Sequence, residues 1–221
     1  AVVSMWSHAR QREKSGPKIR VYNPTQETHG WHSTHTVIEI VNDDMPFIVD
    51  SVVNALNRDQ LMVHLLIHPI ILVVRDGDRV LEDVLEPGSE AGATESMVHV
   101  EISQRGSADA LKALHAQIAQ VLDDVRAAVE DWPAMRERVS ELVDELRAAD
   151  PPIPGGELEE GLAFLEWVHD NNFTLLGVRD YTFEQKNGED FLAIDAASGL
   201  GVLREISVES AQRHKAALPR E

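Results

Sequence analysis

Between residues 35 and 76 an apolar run, an acidic turn, an amphipathic segment and a second apolar run follow one another directly, and that order leaves few folds open. Residues 36–41 alternate, with Ile38 and Ile40 on one face and Val37, Glu39 and Val41 on the other, the period of two expected of a strand. Asn42-Asp43-Asp44 ends the run, and Pro46 suits the first helical position, with Asp44 or Met45 as the cap. Phe47, Ile48, Val49, Val52, Val53 and Leu56 then recur at helical spacing. Residues 61–67 read as a second strand, placing Leu61, Val63, Leu65 and Ile67 on one face and Met62, His64, Leu66 and His68 on the other. Pro69 bends this strand or starts an edge piece, residues 70–75 continue it, and Asp76-Gly77-Asp78 turns the chain. A strand, turn and helix in this order bring the free N–H groups of a helix start beside a strand end, where a small anionic ligand can sit.

Further along, residues 96–103 alternate as a strand with Val98, Val100 and Ile102 opposite Met97, His99 and Glu101. Ser107 caps a long amphipathic helix carrying Leu111, Leu114, Ile118, Leu122, Val125 and Val129, and Pro133 opens another. The Pro- and Gly-rich residues 150–156 mark a linker, followed by a helix and a hairpin around Asn187-Gly188. The expected organisation is an N-terminal arm at 1–34, mobile over 1–17, then an α+β domain at 35–130. A helix and linker follow at 131–156, and the start of a second α+β unit at 157–221. The domain is most of a βαββαβ (ferredoxin-like) unit, an antiparallel sheet with helices on one face. Ile38, Ile40, Leu61, Val63, Leu65, Val98, Val100 and Ile102 are expected to face the helices. The closing strand is open between residues 173–181 and residues 18–22, the latter at an edge.

A formal net charge of -18 argues against nucleic acid or an anionic membrane as a partner. The absence of cysteine excludes disulfides, thiolate metal sites and a cysteine nucleophile, and agrees with a cytoplasmic location. No apolar run reaches the ~18 residues of a membrane span. The chain does not begin with Met, and a piece of a longer protein is expected. His29, His32 and His35 lie in a polar loop with no element to fix them as a metal site, and Gly199-Leu200-Gly201 is too little for a dinucleotide fingerprint. No catalytic residue and no metal site is assigned.

Two sites are candidates. At the turn of Asn42, Asp43, Asp44, Met45, Pro46 and Phe47, the helix start would hold an effector's carboxylate while Asp43 or Asp44 takes its ammonium; Asp44 as a plain cap is the alternative. On the sheet face away from the helices, Glu39, Met62, His64, Leu66, His68, Met97, His99 and Glu101 form a half-apolar, half-ionisable surface. That surface suits contact with a neighbouring domain or subunit, with metal binding by His64, His68 and His99 as the alternative.

Residues 43–68 resemble an ACT domain, whose acidic turn, proline at the helix start and apolar helix they share; Pro46-Phe47 departs from the usual Pro-Gly. Several segments are also similar to the large, multidomain, NAD-specific glutamate dehydrogenases. Among them are Asp43-Asp44-Met45-Pro46-Phe47-Ile48-Val49-Asp50-Ser51-Val52, His64-Leu65-Leu66-Ile67-His68-Pro69, Asp131-Trp132-Pro133 and Asn171-Asn172-Phe173-Thr174. The resemblance falls in the non-catalytic N-terminal region of that family. It implies a regulatory and assembly role, no cofactor in this chain and NAD in the parent enzyme. The implied partners are other domains and subunits of the same enzyme, with an amino acid as effector. A stand-alone amino-acid-sensing module and a ligand-free scaffold are the competing readings.

Overall fold

The structure, a computed structural model, describes residues 2–13, 16–149, 151–186 and 189–205. In chain order the elements are α1 (Val2–Ala9), β1 (Lys18–Tyr22), α2 (Gln26–His29), β2 (Thr36–Asp43), α3 (Ile48–Arg58), β3 (Val63–Ile67), β4 (Ile70–Arg75), β5 (Leu81–Leu85) and β6 (Ala93–Ile102). Then come α4 (Ala108–Ala149), α5 (Gly155–Trp167), β7 (Gly177–Val178), β8 (Tyr181–Lys186), β9 (Glu189–Ile194) and β10 (Leu200–Gly201). The chain divides into two compact units, residues 1–125 and 126–221, and the division falls inside α4.

The first unit holds a six-stranded antiparallel sheet in the order β1-β2-β6-β4-β5, with β3 also paired to β6. β3 and β4 occupy successive lengths of the same edge of β6, and the step between them is at His68 and Pro69. Proline cannot donate a ladder bond, but its carbonyl still accepts from the Met97 N–H at 3.0 Å. In a βαββαβ unit the fourth strand lies beside the first. Here β1 fills that place from the N-terminal side, pairing Lys18 to Val41 and Tyr22 to Val37. Of the two candidates for the closing strand, residues 18–22 supply it; in the second unit β7 pairs with β10 instead.

One face of the sheet carries α3 and α4. Ile38, Ile40, Val98, Val100 and Ile102 pack there against Ile48, Val52 and Leu56 of α3 and Leu114, Ile118 and Leu122 of α4, all at most 3% exposed. Burying this set is the main driving force for the unit. Ser107 caps α4 as its sequence position implies, its Oγ accepting from the Ala110 N–H at 3.1 Å.

The other face is covered in part as well, over β2 and β4, contrary to the expectation of a mobile entry segment. Residues 2–9 form α1, and Met5 and Ala9 pack against Val41, Met97 and Ile71. The first seven residues of β2 are buried on both faces for this reason, although its sequence alternates. The short α1 is fastened by polar contacts. Leu81 N–H donates to Arg10 O at 2.7 Å, Gln11 bridges Val80, and Arg75 Nη2 donates to Ala9 O at 2.9 Å.

Three local expectations need correction. α3 begins at Ile48, with Phe47 as its left-handed cap residue (φ 70°), so Pro46 lies in the turn ahead of the helix. β3 carries a bulge between Val63 and Leu65, which shifts the alternation by one residue. Leu66 therefore packs on the helix-covered side, while Leu65 and Ile67 are 42% and 49% exposed. Finally, Pro133 lies within α4 and does not open a new helix. The missing N–H removes a single backbone bond, and Met135, Val139 and Val143, all buried, continue the apolar stripe past it.

In the second unit, α5 ends in a kinked turn at Val168–Asn172, where Asn171 is left-handed (φ 62°), and β8 and β9 pair from Tyr181 with Ile194 to Lys186 with Glu189. The expected turn residues Asn187 and Gly188 lie outside the described residues.

Candidate functional site

β2 ends at Asp43 and α3 starts at Ile48, so Asp44, Met45, Pro46 and Phe47 make the connection. Asn42 is buried, and its side-chain amide donates to Asp43 O at 3.0 Å. Asp43 receives Arg12 Nη1 at 2.7 Å. Asp44 does not cap the helix: its N–H donates to Thr94 O at 3.0 Å, and its Oδ1 accepts from Ser96 Oγ at 2.7 Å. Because Ser96 spends its only hydrogen on Asp44, the His68 ring nitrogen Nε2, 2.9 Å from that oxygen, must be the donor to it. Asp44, Ser96 and His68 thus form one chain from the turn to the β3–β4 step. Met45 packs on the core, and Phe47 is 47% exposed. Among the described residues no side chain caps α3, so its first N–H groups keep the anion-binding character of a helix start.

The second candidate set divides. Glu39, Met97 and His99 are buried and lie together with Glu101 on the face that α1 shares. His68 belongs instead to the turn, Leu66 to the core, and His64 is the bulged residue, its ring stacked on His35 at 4.3 Å and its Nε2 3.2 Å from Ser103 Oγ. Met62 is exposed just ahead of β3. His64, His68 and His99 do not converge, and among the described residues no group of three metal-ligating side chains is found.

What the second face does contain is a pair of ionic networks. In the first, Glu95 is held between two arginines: Arg75 is bidentate to it, Nε and Nη2 each at 2.7 Å, and Arg12 Nη1 is at 3.1 Å. Arg12 also donates to Asp43, so this network reaches the turn. All three side chains of Arg12, Arg75 and Glu95 are at most 3% exposed. In the second, Glu39 accepts from Arg20 (Nε at 2.9 Å, and also Nη2) and from Tyr22 Oη at 3.1 Å. His99 lies between Glu39 and Glu101, 3.4 and 3.5 Å from them, and Glu101 accepts from Ser33 Oγ at 3.1 Å and His35 Nδ1 at 2.9 Å.

Burial pushes the Glu39 carboxyl up, but the hydrogen bonds from His99, Arg20 and Tyr22 outweigh it and hold the group below its ordinary value. Glu101 follows the same rule, its burial outweighed by His35, His99 and Ser33. His8 on α1 goes the other way. Burial, then Arg20 and Lys18, lower its pKa from 6.5 to about 4, and its Nε2 has no hydrogen-bond partner among the described residues.

Sequence reasoning missed Arg12, Arg20, Arg75 and Glu95. The available signal was Glu39 and Glu95 within apolar strands, since a buried carboxylate requires a cationic partner.

The family described as "Glutamate dehydrogenase, ACT1 domain" matches residues 1–118. The chain is similar to the NAD-specific glutamate dehydrogenase of Pseudomonas aeruginosa, 36% identical over 204 residues, which are 91% of this chain and 13% of that protein. It is similar to the NAD-specific glutamate dehydrogenase of Halomonas elongata to the same 36% over 207 residues, 92% of this chain and 13% of that protein. The chain thus spans about an eighth of the length of these relatives. No solved structure matches it.

Proposed function

The chain belongs to the glutamate dehydrogenase ACT1-domain family, and from that premise we propose that it is the regulatory and assembly region of a large NAD-specific glutamate dehydrogenase, binding an amino-acid effector at the turn before α3. The parent reaction is then L-glutamate, NAD and water to 2-oxoglutarate, ammonium and NADH, carried out by parts of the polypeptide outside these residues, and NAD is bound there.

The observation that carries the reading is the turn itself, in a chain matched to the ACT1 family over residues 1–118. Uncapped N–H groups at α3 suit a carboxylate. Asp44, already oriented by Thr94 and Ser96, suits an ammonium. Asp43 is less suited to that task because Arg12 already engages it. The contacts from the turn through Arg12 to Glu95 and Arg75 tie a ligand at this point to the N-terminal segment and to β4.

Calorimetry of the chain with each amino acid in turn tests this. One amino acid is expected to give saturable heat that Asp44→Ala abolishes while the unfolding midpoint stays above the assay temperature. Silence across the panel would leave an assembly role alone.

A further inference from the structure

The bulge at His64 turns Leu65 and Ile67 out of the helix-covered side, and onto the face that α1 only half covers. α1 lies over Val41, Met97 and Ile71, toward β2 and β4. The β3 side of the same face stays open. Between α1 and β3 runs a groove of about 260 Å³, walled by Met5 and Trp6 on one side and Leu65, Ile67 and Pro69 on the other, with Met97 at its floor. Trp6 is 49% exposed, and Val2 and Val3 at the start of α1 are 83% and 79% exposed. Apolar side chains this contiguous on a soluble surface mark a contact site.

We propose that the groove receives an amphipathic helix from the same full-length polypeptide, outside these 221 residues, lying beside α1 over β3. Two facts select this occupant. The opposite face of the sheet is covered by a pair of helices, α3 and α4, and a second helix packs at about 8–10 Å from the first. Among the described residues the second face carries one helix, α1, and beside it Leu65, Ile67 and Pro69 are left exposed. The polypeptides to which this chain is similar are far longer, with this region making up 13% of them. The occupant therefore presents apolar side chains at helical spacing, two of them entering between Trp6 and Ile67.

This inference rests on reading the chain as one region of a longer enzyme. The mass of the purified full-length product tests that reading separately, so in a product much longer than 221 residues a failed result falls on the groove alone.

The experiment is photo-crosslinking of the full-length protein with a benzophenone side chain in place of Ile67, and in a second variant in place of Trp6. Both positions are half-exposed, so neither variant is expected to lose its fold. The expected product in both is an intramolecular crosslink to one apolar-striped segment outside residues 1–221, at the same stretch of sequence for each probe. A crosslink to residues 1–221 of a second copy would overturn the proposal in favour of a self-contact. Recovery of the unreacted ketone with no crosslink at either position would overturn it by showing that no segment lies in the groove.

Discussion

Replacing Glu95 by glutamine removes the carboxylate held between Arg12 and Arg75 while keeping its shape. Their side chains are 1% and 3% exposed, so each cation would be left in the interior with its best partner gone. Breaking a buried ion pair by deleting one member costs about 3–5 kcal/mol. Other partners survive here: Arg12 keeps Asp43 at 2.7 Å and the Gly16 carbonyl at 3.0 Å, and Arg75 keeps the carbonyls of Ala9 and Arg79, each at 2.9 Å. The expected loss is therefore at the lower end, about 3 kcal/mol. For a unit of this size it lowers the unfolding midpoint by roughly 10 °C. Thermal and urea unfolding followed by circular dichroism read both quantities. Because Arg12 and Arg75 hold the segment after α1, Glu95→Gln is also expected to speed amide exchange in residues 2–13 before the sheet opens. A loss under about 1 kcal/mol, the scale of an exposed pair, would refute the claim that this buried network fastens the N-terminal segment.

Acid is expected to loosen α1 through His8. The unfolded chain takes up a proton near pH 6.5 that the folded chain accepts only near pH 4, so stability falls as pH drops through that window. His8→Phe should flatten the pH dependence of urea unfolding between pH 6.5 and 4. Glu39 and Glu101, held below their ordinary values, add loss in the same direction as pH falls further; a stability maximum below pH 5 would contradict both assignments. At Phe47, whose φ is 70°, glycine should be more stable than alanine by about 1 kcal/mol, because only the alanine carries the left-handed cost; equal stability would remove the strain argument. Ser96→Ala cuts the chain from Asp44 to His68 and is expected to cost about 1–2 kcal/mol in urea unfolding. If the turn binds an amino acid, the same variant weakens that binding in calorimetry.

The central βαβ pattern was legible because its apolar residues follow periods that only one arrangement satisfies. Ile38, Ile40, Val98, Val100 and Ile102 are where alternation puts them, and α4 keeps its stripe. The bulge at His64 was not legible, since no glycine or proline marks it and Val63 through Ile67 are apolar enough to suit either face. α1 was missed for a different reason: eight residues carry too little periodicity to stand out, and the helix is held mainly by contacts to residues distant in sequence. Of the two candidate sites, the turn was found by its acids and proline. Its coupling to Arg12 depends on a pairing 31 residues apart that no local pattern announces. The histidine face dissolved into separate roles once the register changed.

The central claim is that these residues regulate a reaction carried out elsewhere in the polypeptide. It is tested most directly by steady-state glutamate oxidation in the full-length protein carrying Asp44→Ala. The expected result is unchanged kcat and KM for L-glutamate and NAD without effector, together with loss of the response to the amino acid that calorimetry identifies. A fall of tenfold or more in kcat, in a variant that keeps its fold and assembly state, would contradict it by placing the turn in the catalytic machinery.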